Sequence, residues 1–323
     1  MLLEVKNLKT YFRTSKGILK AVDDVSFNLD SAEALGIVGE SGCGKTTCAL
    51  SIAKLLPKEG YIAGGEILLN GKDLARLSEK EILAHRWKDI SIVFQGAMNA
   101  LNPVLTVGKQ IAEAIELHDH LDKAAALKKA ADMLELVEIP KDRINRYPHE
   151  FSGGMKQRAM IAMALACNSK VVIGDEPTTA LDVMIQAQIL DLLERLRKQM
   201  GMGLILITHD LSILCETCDR IAVMYAGKIV ETGTVQGIFE NAKHPYTQRL
   251  ISCFPDISAK KIIPDGIEGF PPNLIDPPKG CRFHPRCAHA FEKCRQVEPL
   301  TVSLGKGHLV ACHLVEEQLE NRR

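Results

Sequence analysis

The densest chemistry in the chain lies in the eight residues GESGCGKT, Gly39–Thr46. They fit G-x-x-x-x-G-K-[ST], a pattern whose backbone N–H groups surround phosphate oxygens when it joins a strand to a helix. Gly42 and Gly44 let the backbone fold close to the ligand, and the following helix N-terminus adds its positive dipole end. Lys45 can reach the β and γ phosphates, and the Thr46 hydroxyl can hold Mg²⁺. Gly39, Ser41, Cys43 and Thr47 complete the candidate cradle. A second group ends the apolar run VVIGDE, Val171–Glu176. Carboxylates at the carboxyl end of a buried strand face the crevice where α/β sheets bind ligands. Asp175 is the candidate for Mg²⁺, and Glu176 for orienting or deprotonating an attacking water. Between the two groups, Ser152, Gly153 and Gly154 precede a helical run. They form either a second anion-binding helix start or an ordinary serine cap.

These residues need elements to hold them. Leu3 and Val5, then Val22, Val25, Phe27 and Leu29, alternate as sheet residues do. Glu33–Glu40 is a short buried strand, and the run after Lys45 to Leu56 has helical apolar spacing. Asn70-Gly71 is a hairpin turn signal. Thr106–Val137 and Met155–Cys167 are expected to be helical. Strands at 171–176 and 203–210 flank a helix over 186–200. Strand, helix, strand in this order implies a parallel sheet with right-handed crossovers. Residues 263–280 hold Pro264, Pro271, Pro272, Pro277 and Pro278 with three glycines. That stretch reads as an extended connection to a small module at 281–323.

The 323 residues suggest about two domains, and 46% hydrophobic residues suffice for a core. Lys plus Arg number 40 and Asp plus Glu number 40. Zero net charge gives no long-range pull toward nucleic acid. The charged N-terminus MLLEVKNLKTYF does not read as a signal peptide, and no apolar run approaches the ~20 residues of a membrane helix. A cytoplasmic protein is expected.

Taken in order, the phosphate loop, Gln95, Ser152-Gly153-Gly154, Asp175-Glu176, Leu181-Asp182 and His209 resemble the motif set of ABC-transporter ATPases, over about residues 1–256. The resemblance implies an α/β P-loop ATPase core with a helical subdomain at about 96–160. It implies that Gln95 contacts Mg²⁺ and the water and senses the membrane subunits. Ser152, Gly153 and Gly154 would bind the γ-phosphate held by an opposite subunit. Asp182 would cross the dimer interface, and His209 would contact the γ-phosphate as a switch. Lys45, Glu176 and His209 are then the catalytic candidates. Phe12 would stack on adenine, with Tyr11 the neighbouring candidate. Phe151 departs from the usual leucine, and Cys43 stands at a variable loop position; neither changes a phosphate ligand, since the loop works through backbone N–H groups.

FQGAMNALNPVLTVGKQI, YPHEFSGGMKQR, HPYTQRL and PPNLIDPPKGCRFHPRC further resemble importers of dipeptides and oligopeptides, a group that shares much with nickel importers. This implies peptide uptake with two permease subunits, a second and different ATPase chain, and an extracytoplasmic binding protein. The chain would sit at the cytoplasmic face of the membrane, held there by the permease. A nickel importer, or a non-transport ABC ATPase, is the alternative.

Four of the ten cysteines lie close together: Cys281, Cys287, Cys294 and Cys312. A reducing compartment disfavours disulfides. Zinc, helped by His284, His289, His308 or His313, usually shows C-x₂₋₄-C knuckles, absent here. Four widely spaced thiolates suit a 4Fe–4S cluster, and the resembling family is associated with one; zinc remains the alternative. Such a cluster would staple the small module at 281–323, part of the C-terminal region 257–323, because about 40 residues cannot bury enough apolar area to fold alone. Every nucleotide candidate lies in residues 1–256, so loss of the staple is expected to affect hydrolysis little. Cys215-x-x-Cys218 reads as a packed or surface pair.

Overall fold

The computed structural model describes residues 1–94, 96, 100–179, 181–253 and 266–320. Its strands are β1 Leu3–Thr14, β2 Gly17–Leu29, β3 Ala34–Val38, β4 Gly60–Leu69, β5 Lys72–Asp73 and β6 Ile90–Val93. They continue as β7 Val171–Asp175, β8 Gly203–Ile207, β9 Arg220–Tyr225, β10 Lys228–Thr234, β11 Thr301–Ser303 and β12 Leu309–Ala311. The chain divides into two compact units.

One unit comprises residues 1–3, 29–34 and 69–206. Its strands run in the order β8-β7-β6. β6 and β7 are parallel, with Ile90 opposite Val171 and Val93 opposite Gly174. Parallel neighbours require a long crossover, and here it carries a helical insertion. The expected single helical stretch from Thr106 is two helices, Val107–Asp119 and Lys123–Leu136. The break is local: His120 closes the first at φ 55°, and Asp122 caps the second by accepting the Ala125 N–H. Val107, Ile111 and Ile115 on the first, and Ala126, Ala130 and Leu134 on the second, recur every four residues and are buried. That spacing puts each set on one face. Helix Gly153–Leu165 and helix Val183–Met200 complete the unit; Gly201 ends the latter in the left-handed region.

The other unit comprises residues 4–28, 35–68 and 207–323. One of its sheets runs β2-β1-β4, the other β11-β12-β10-β9-β3. β3 and β9 are parallel, with Ile37 opposite Ala222. β9 and β10, β10 and β12, and β11 and β12 are antiparallel. The sheet is therefore mixed; the two-residue link Ala226–Gly227 permits only an antiparallel return. Helix Lys45–Ile52 is shorter than its apolar spacing suggested. Lys54, at φ 50°, ends it ahead of Pro57.

The C-terminal segment had no strand in its sequence pattern, yet its hairpin extends the sheet, with Glu231 of β10 opposite Val310 of β12. Two three-residue strands carry too little period for detection. A buried carboxylate fastens them. Glu231, 1% exposed, accepts the Lys243 and His244 N–H groups at 2.7 and 3.0 Å and pairs with His308 Nε2 at 2.8 Å. Among the described residues no helix is long and apolar enough to cross a membrane.

His244 is buried and accepts the Tyr246 N–H on Nδ1, capping helix Pro245–Ser252. Burial pushes its pKa down to about 3, below the ~6.5 of an unfolded chain. The unfolded state thus binds the extra proton first. Stability should be full above pH ~6.5 and fall on acidification toward pH ~3, by up to about 1.4 kcal/mol per pH unit from this group. His244→Asn keeps a capping oxygen, so denaturation midpoints between pH 6.5 and 4 should show a shallower slope in that variant.

Candidate nucleotide site

Gly39–Lys45 follows β3, whose five residues are all buried, and leads into helix Lys45–Ile52. No side chain caps the start of that helix, so its amide groups point outward as an anion site requires. The loop is pressed against backbone on two sides. A Cβ on Gly39 would lie 2.0 Å from the Met224 carbonyl oxygen, and one on Gly44 2.2 Å from that of Ala21. Gly42 and Gly44 take φ 78° and 107°. The Cys43 carbonyl accepts the Gly227 N–H at 2.8 Å.

Lys45 is buried, and its ammonium donates to the Gly39 carbonyl at 2.6 Å and the Glu40 carbonyl at 3.1 Å. The cation thus lies along the loop whose carbonyls hold it. The Cys43 thiol is raised by burial, with Lys45 acting in the opposite direction. Its side chain packs inward, leaving only its backbone for the loop. Ser41, Gly42 and Thr46 are exposed, and Thr47 is half-buried.

The same unit holds Tyr11, Phe12 and His209. The Tyr11 hydroxyl donates to Asp23 at 2.7 Å, and burial raises its pKa. Tyr11 is thereby committed to the fold. The half-buried Phe12 ring lies over Gly60, whose added Cβ would meet it at 2.8 Å, so Phe12 is the freer of the two aromatics. His209 is exposed just beyond β8. Thr208 ties that turn to β3 by donating its N–H to the Ile37 carbonyl at 3.4 Å.

The other unit positions the acids. Asp175 ends β7 and is 2% exposed. Glu176 follows at φ 48°, an uncommon conformation for a residue with a Cβ and worth about 1–3 kcal/mol of strain. Its carboxylate accepts the Thr179 hydroxyl at 3.0 Å, and its carbonyl the Thr179 N–H at 3.2 Å. Nothing in the sequence signals that backbone. Ser152 caps helix Gly153–Leu165 by accepting the Met155 N–H at 3.3 Å. A Cβ on Gly154 would meet Ile185 at 2.9 Å, so this glycine lets the helix start lie against helix Val183–Met200. Asp182 caps that helix through the Ile185 N–H at 3.0 Å and is exposed. Gln95 lies outside the described residues.

The four C-terminal cysteines lie in the unit with the loop. Burial raises Cys281 to about 12 and Cys312 to about 11, and each is also raised by the charges of the other cysteines. The N–H groups of Phe283, His289, and Leu314 with Val315 act the other way on Cys281, Cys287 and Cys312. Amides directed at sulfur stabilise thiolate. Yet among the described residues no three His, Cys, Asp or Glu side chains are arranged to hold a metal ion. Three of the histidines expected to help zinc are engaged elsewhere. His284 Nδ1 is 2.9 Å from the Cys281 carbonyl, His308 pairs with Glu231, and His313 contacts Glu316 and the Val297 carbonyl. Cys215 is exposed on helix Leu211–Thr217, and Cys218 is its C-cap.

The sequence matches the ABC transporter family over residues 22–179, and the oligopeptide/dipeptide transporter C-terminal region over 230–294. It is 48% identical to a probable peptide ABC transporter ATP-binding protein of Sinorhizobium fredii, covering 97% of this chain and 94% of that one. It is 49% identical to an oligopeptide transport ATP-binding protein of Bacillus subtilis, with 97% and 89% covered. A dipeptide transport ATP-binding protein of the same organism is 47% identical, with 99% and 96% covered. Among solved structures, a dimeric ATP-binding cassette in a post-hydrolysis state with ADP and Pi superposes at TM-score 0.65. It shares 27% identity and covers 73% of this chain and 99% of its own.

Gly42 and Gly44 separate backbone strain from collision. Gly42 has nothing within 4 Å of an added Cβ, so Gly42→Ala should cost only the left-handed penalty, about 1–2 kcal/mol. Gly44→Ala adds the Ala21 collision and should cost more than Gly42→Ala. Urea midpoints of the two variants check the order.

Proposed function

The chain belongs to the ABC transporter ATP-binding proteins that carry the oligopeptide/dipeptide C-terminal region, and from that premise we propose how its residues energise peptide import. It is an ATP-hydrolysing subunit of a peptide transporter. The observation that carries the residue assignments is the loop Gly39–Lys45, an uncapped helix start with a buried lysine beside it. On binding ATP, Lys45 exchanges the Gly39 and Glu40 carbonyls for phosphate oxygens, and the amides of Ser41 to Thr47 take the remainder. Phe12 stacks on adenine. Thr46, Asp175 and Gln95 offer oxygen donors of the kind Mg²⁺ takes, and the ion would neutralise phosphate charge.

Glu176 orients the attacking water and accepts its proton. Its left-handed backbone supports this role, because strain at an acid following a buried strand is seldom kept without a use. His209 holds the γ-phosphate. Ser152, Gly153, Gly154 and Asp182 sit at two exposed helix starts and serve the ATP of a second ATPase subunit, a related but different chain. Two permease subunits and an extracytoplasmic peptide-binding protein complete the assembly, with this chain peripheral at the cytoplasmic face. A division near residue 256 into an ATPase domain and a C-terminal module is part of this reading; the matched C-terminal region itself begins at residue 230. The peptide names of the relatives favour dipeptides or oligopeptides over nickel, and transport over a soluble role.

Cys281, Cys287, Cys294 and Cys312 would hold a 4Fe–4S cluster, which would cross-link four points of a segment poor in core. The donor chemistry fits: Cys281, Cys287 and Cys312 are each raised by the charges of neighbouring cysteines, and backbone amides act the other way on all three. One zinc at Zn–S ~2.3 Å draws its ligands much closer together than a cubane of four irons does. Among the described residues no three such side chains are arranged to hold a metal ion, so the cluster reading rests on the number and spacing of the cysteines.

Glu176→Gln should bind Mg-ATP within a few-fold of the parent. Its phosphate release in a single turnover should fall by roughly two to four orders of magnitude. Near-normal release would remove Glu176 from its role. For the cysteines, protein purified without oxygen should be brown and carry about four irons per chain. Each Cys→Ser variant should lose the colour. Colourless protein with one zinc per chain would assign the site to zinc instead.

A further inference from the structure

The phosphate loop contains an acid. Glu40 follows Gly39 directly, and its carboxylate belongs to a loop proposed to hold a nucleotide with several negative charges. Like charges at close range in a partly dry site oppose binding strongly. The structure shows what offsets this. Arg286 grips the carboxylate with two N–H groups, NH1 to Oε2 at 2.6 Å and NH2 to Oε1 at 3.0 Å. The arginine side chain is 5% exposed and the glutamate 25%. A buried two-point pair of this kind is the strong form of ion pair.

Arg286 has no freedom to leave. Its Nε donates to the Glu268 carbonyl at 2.8 Å, and NH2 to the carbonyls of Ile267 at 3.1 Å and Gly269 at 3.2 Å. NH1 also reaches the Tyr225 hydroxyl at 3.3 Å. The guanidinium is thus anchored in the proline- and glycine-rich connection and on β9. Glu40 is fixed along its backbone as well. Its N–H donates to the Tyr246 hydroxyl at 2.9 Å, and its carbonyl accepts from Lys45 at 3.1 Å. Tyr246 packs against Phe283, ring centres 5.4 Å apart. Arg282 supports the neighbouring turn, donating to the Ala226 carbonyl at 2.5 Å and to Asp23. Gly227 of that turn donates to the Cys43 carbonyl at 2.8 Å.

We propose that Arg286 is a positioning residue for nucleotide binding, acting through Glu40. It neutralises the one acid of the phosphate loop and holds that residue so the loop keeps its phosphate-binding shape. The inference rests on the reading of Gly39–Thr46 as the ATP site. It revises the expectation that the C-terminal segment is remote from hydrolysis, because that segment supplies the counter-charge of the loop.

The test is calorimetric titration of Mg-ATP into the full chain and its variants, with thermal unfolding to establish that each is folded. Arg286→Leu should weaken binding roughly tenfold or more. The loss should be larger at low salt than at high salt. In turnover it should raise KM far more than it lowers kcat. Glu40→Gln combined with Arg286→Leu removes both charges and should return affinity to within a few-fold of the parent. Parental affinity in Arg286→Leu overturns the proposal, as does a folded double variant that binds as poorly as Arg286→Leu. If Arg286→Leu does not fold, Glu40→Gln alone decides. It leaves the arginine charge beside the loop and should bind Mg-ATP more tightly, and equal or weaker binding overturns the proposal. A parent chain that fails to bind Mg-ATP would instead overturn the reading of the loop itself.

Discussion

A loop built largely of glycine backbone has few side chains of its own to hold its shape, and the surroundings must do much of it. Here Gly39 and Gly44 press against the carbonyls of Met224 and Ala21, and Gly227 takes the Cys43 carbonyl. Lys45 donates to both the Gly39 and the Glu40 carbonyls. Strand β3, buried at all five positions, sets the origin of the loop. The close approaches at Gly39 and Gly44 exist because glycine permits backbone to approach backbone more closely than any Cβ allows.

That requirement explains why the C-terminal segment belongs to the same compact unit as the loop. The turn Ala226–Gly227, which backs the loop, is itself held by Arg282, and the acid of the loop by Arg286. These arginines lie one residue after Cys281 and one before Cys287. A segment of this length has little apolar core, and its cluster of Val310, Cys312 and Val315 is small. It is tied to the rest of its unit by the hairpin added to β10 and by the buried Glu231.

The acids of the other unit follow a different rule. Asp175 is placed by the buried strand that precedes it. Glu176 is placed by a strained backbone that Thr179 secures with two hydrogen bonds. The exposed helix starts at Ser152 and Asp182 are each satisfied by their own cap. Such capped starts are stable without any partner.

The nucleotide chemistry, the family and the peptide class were legible in the sequence, because the loop, the acid pair and the helix caps are local. Their function depends on residues within a few positions of one another, so spacing records it. The mixed sheet, the break at His120 and the short strands β11 and β12 were not legible. Three-residue strands carry no usable period, and antiparallel pairing of β10 with β12 joins residues about eighty apart, such as Glu231 and Val310. The pairing of Glu40 with Arg286 was hidden for the same reason. An ion pair leaves no trace in local pattern when its partners lie 246 positions apart. Only tertiary folding, which brings the end of the chain onto the loop near its start, could decide it.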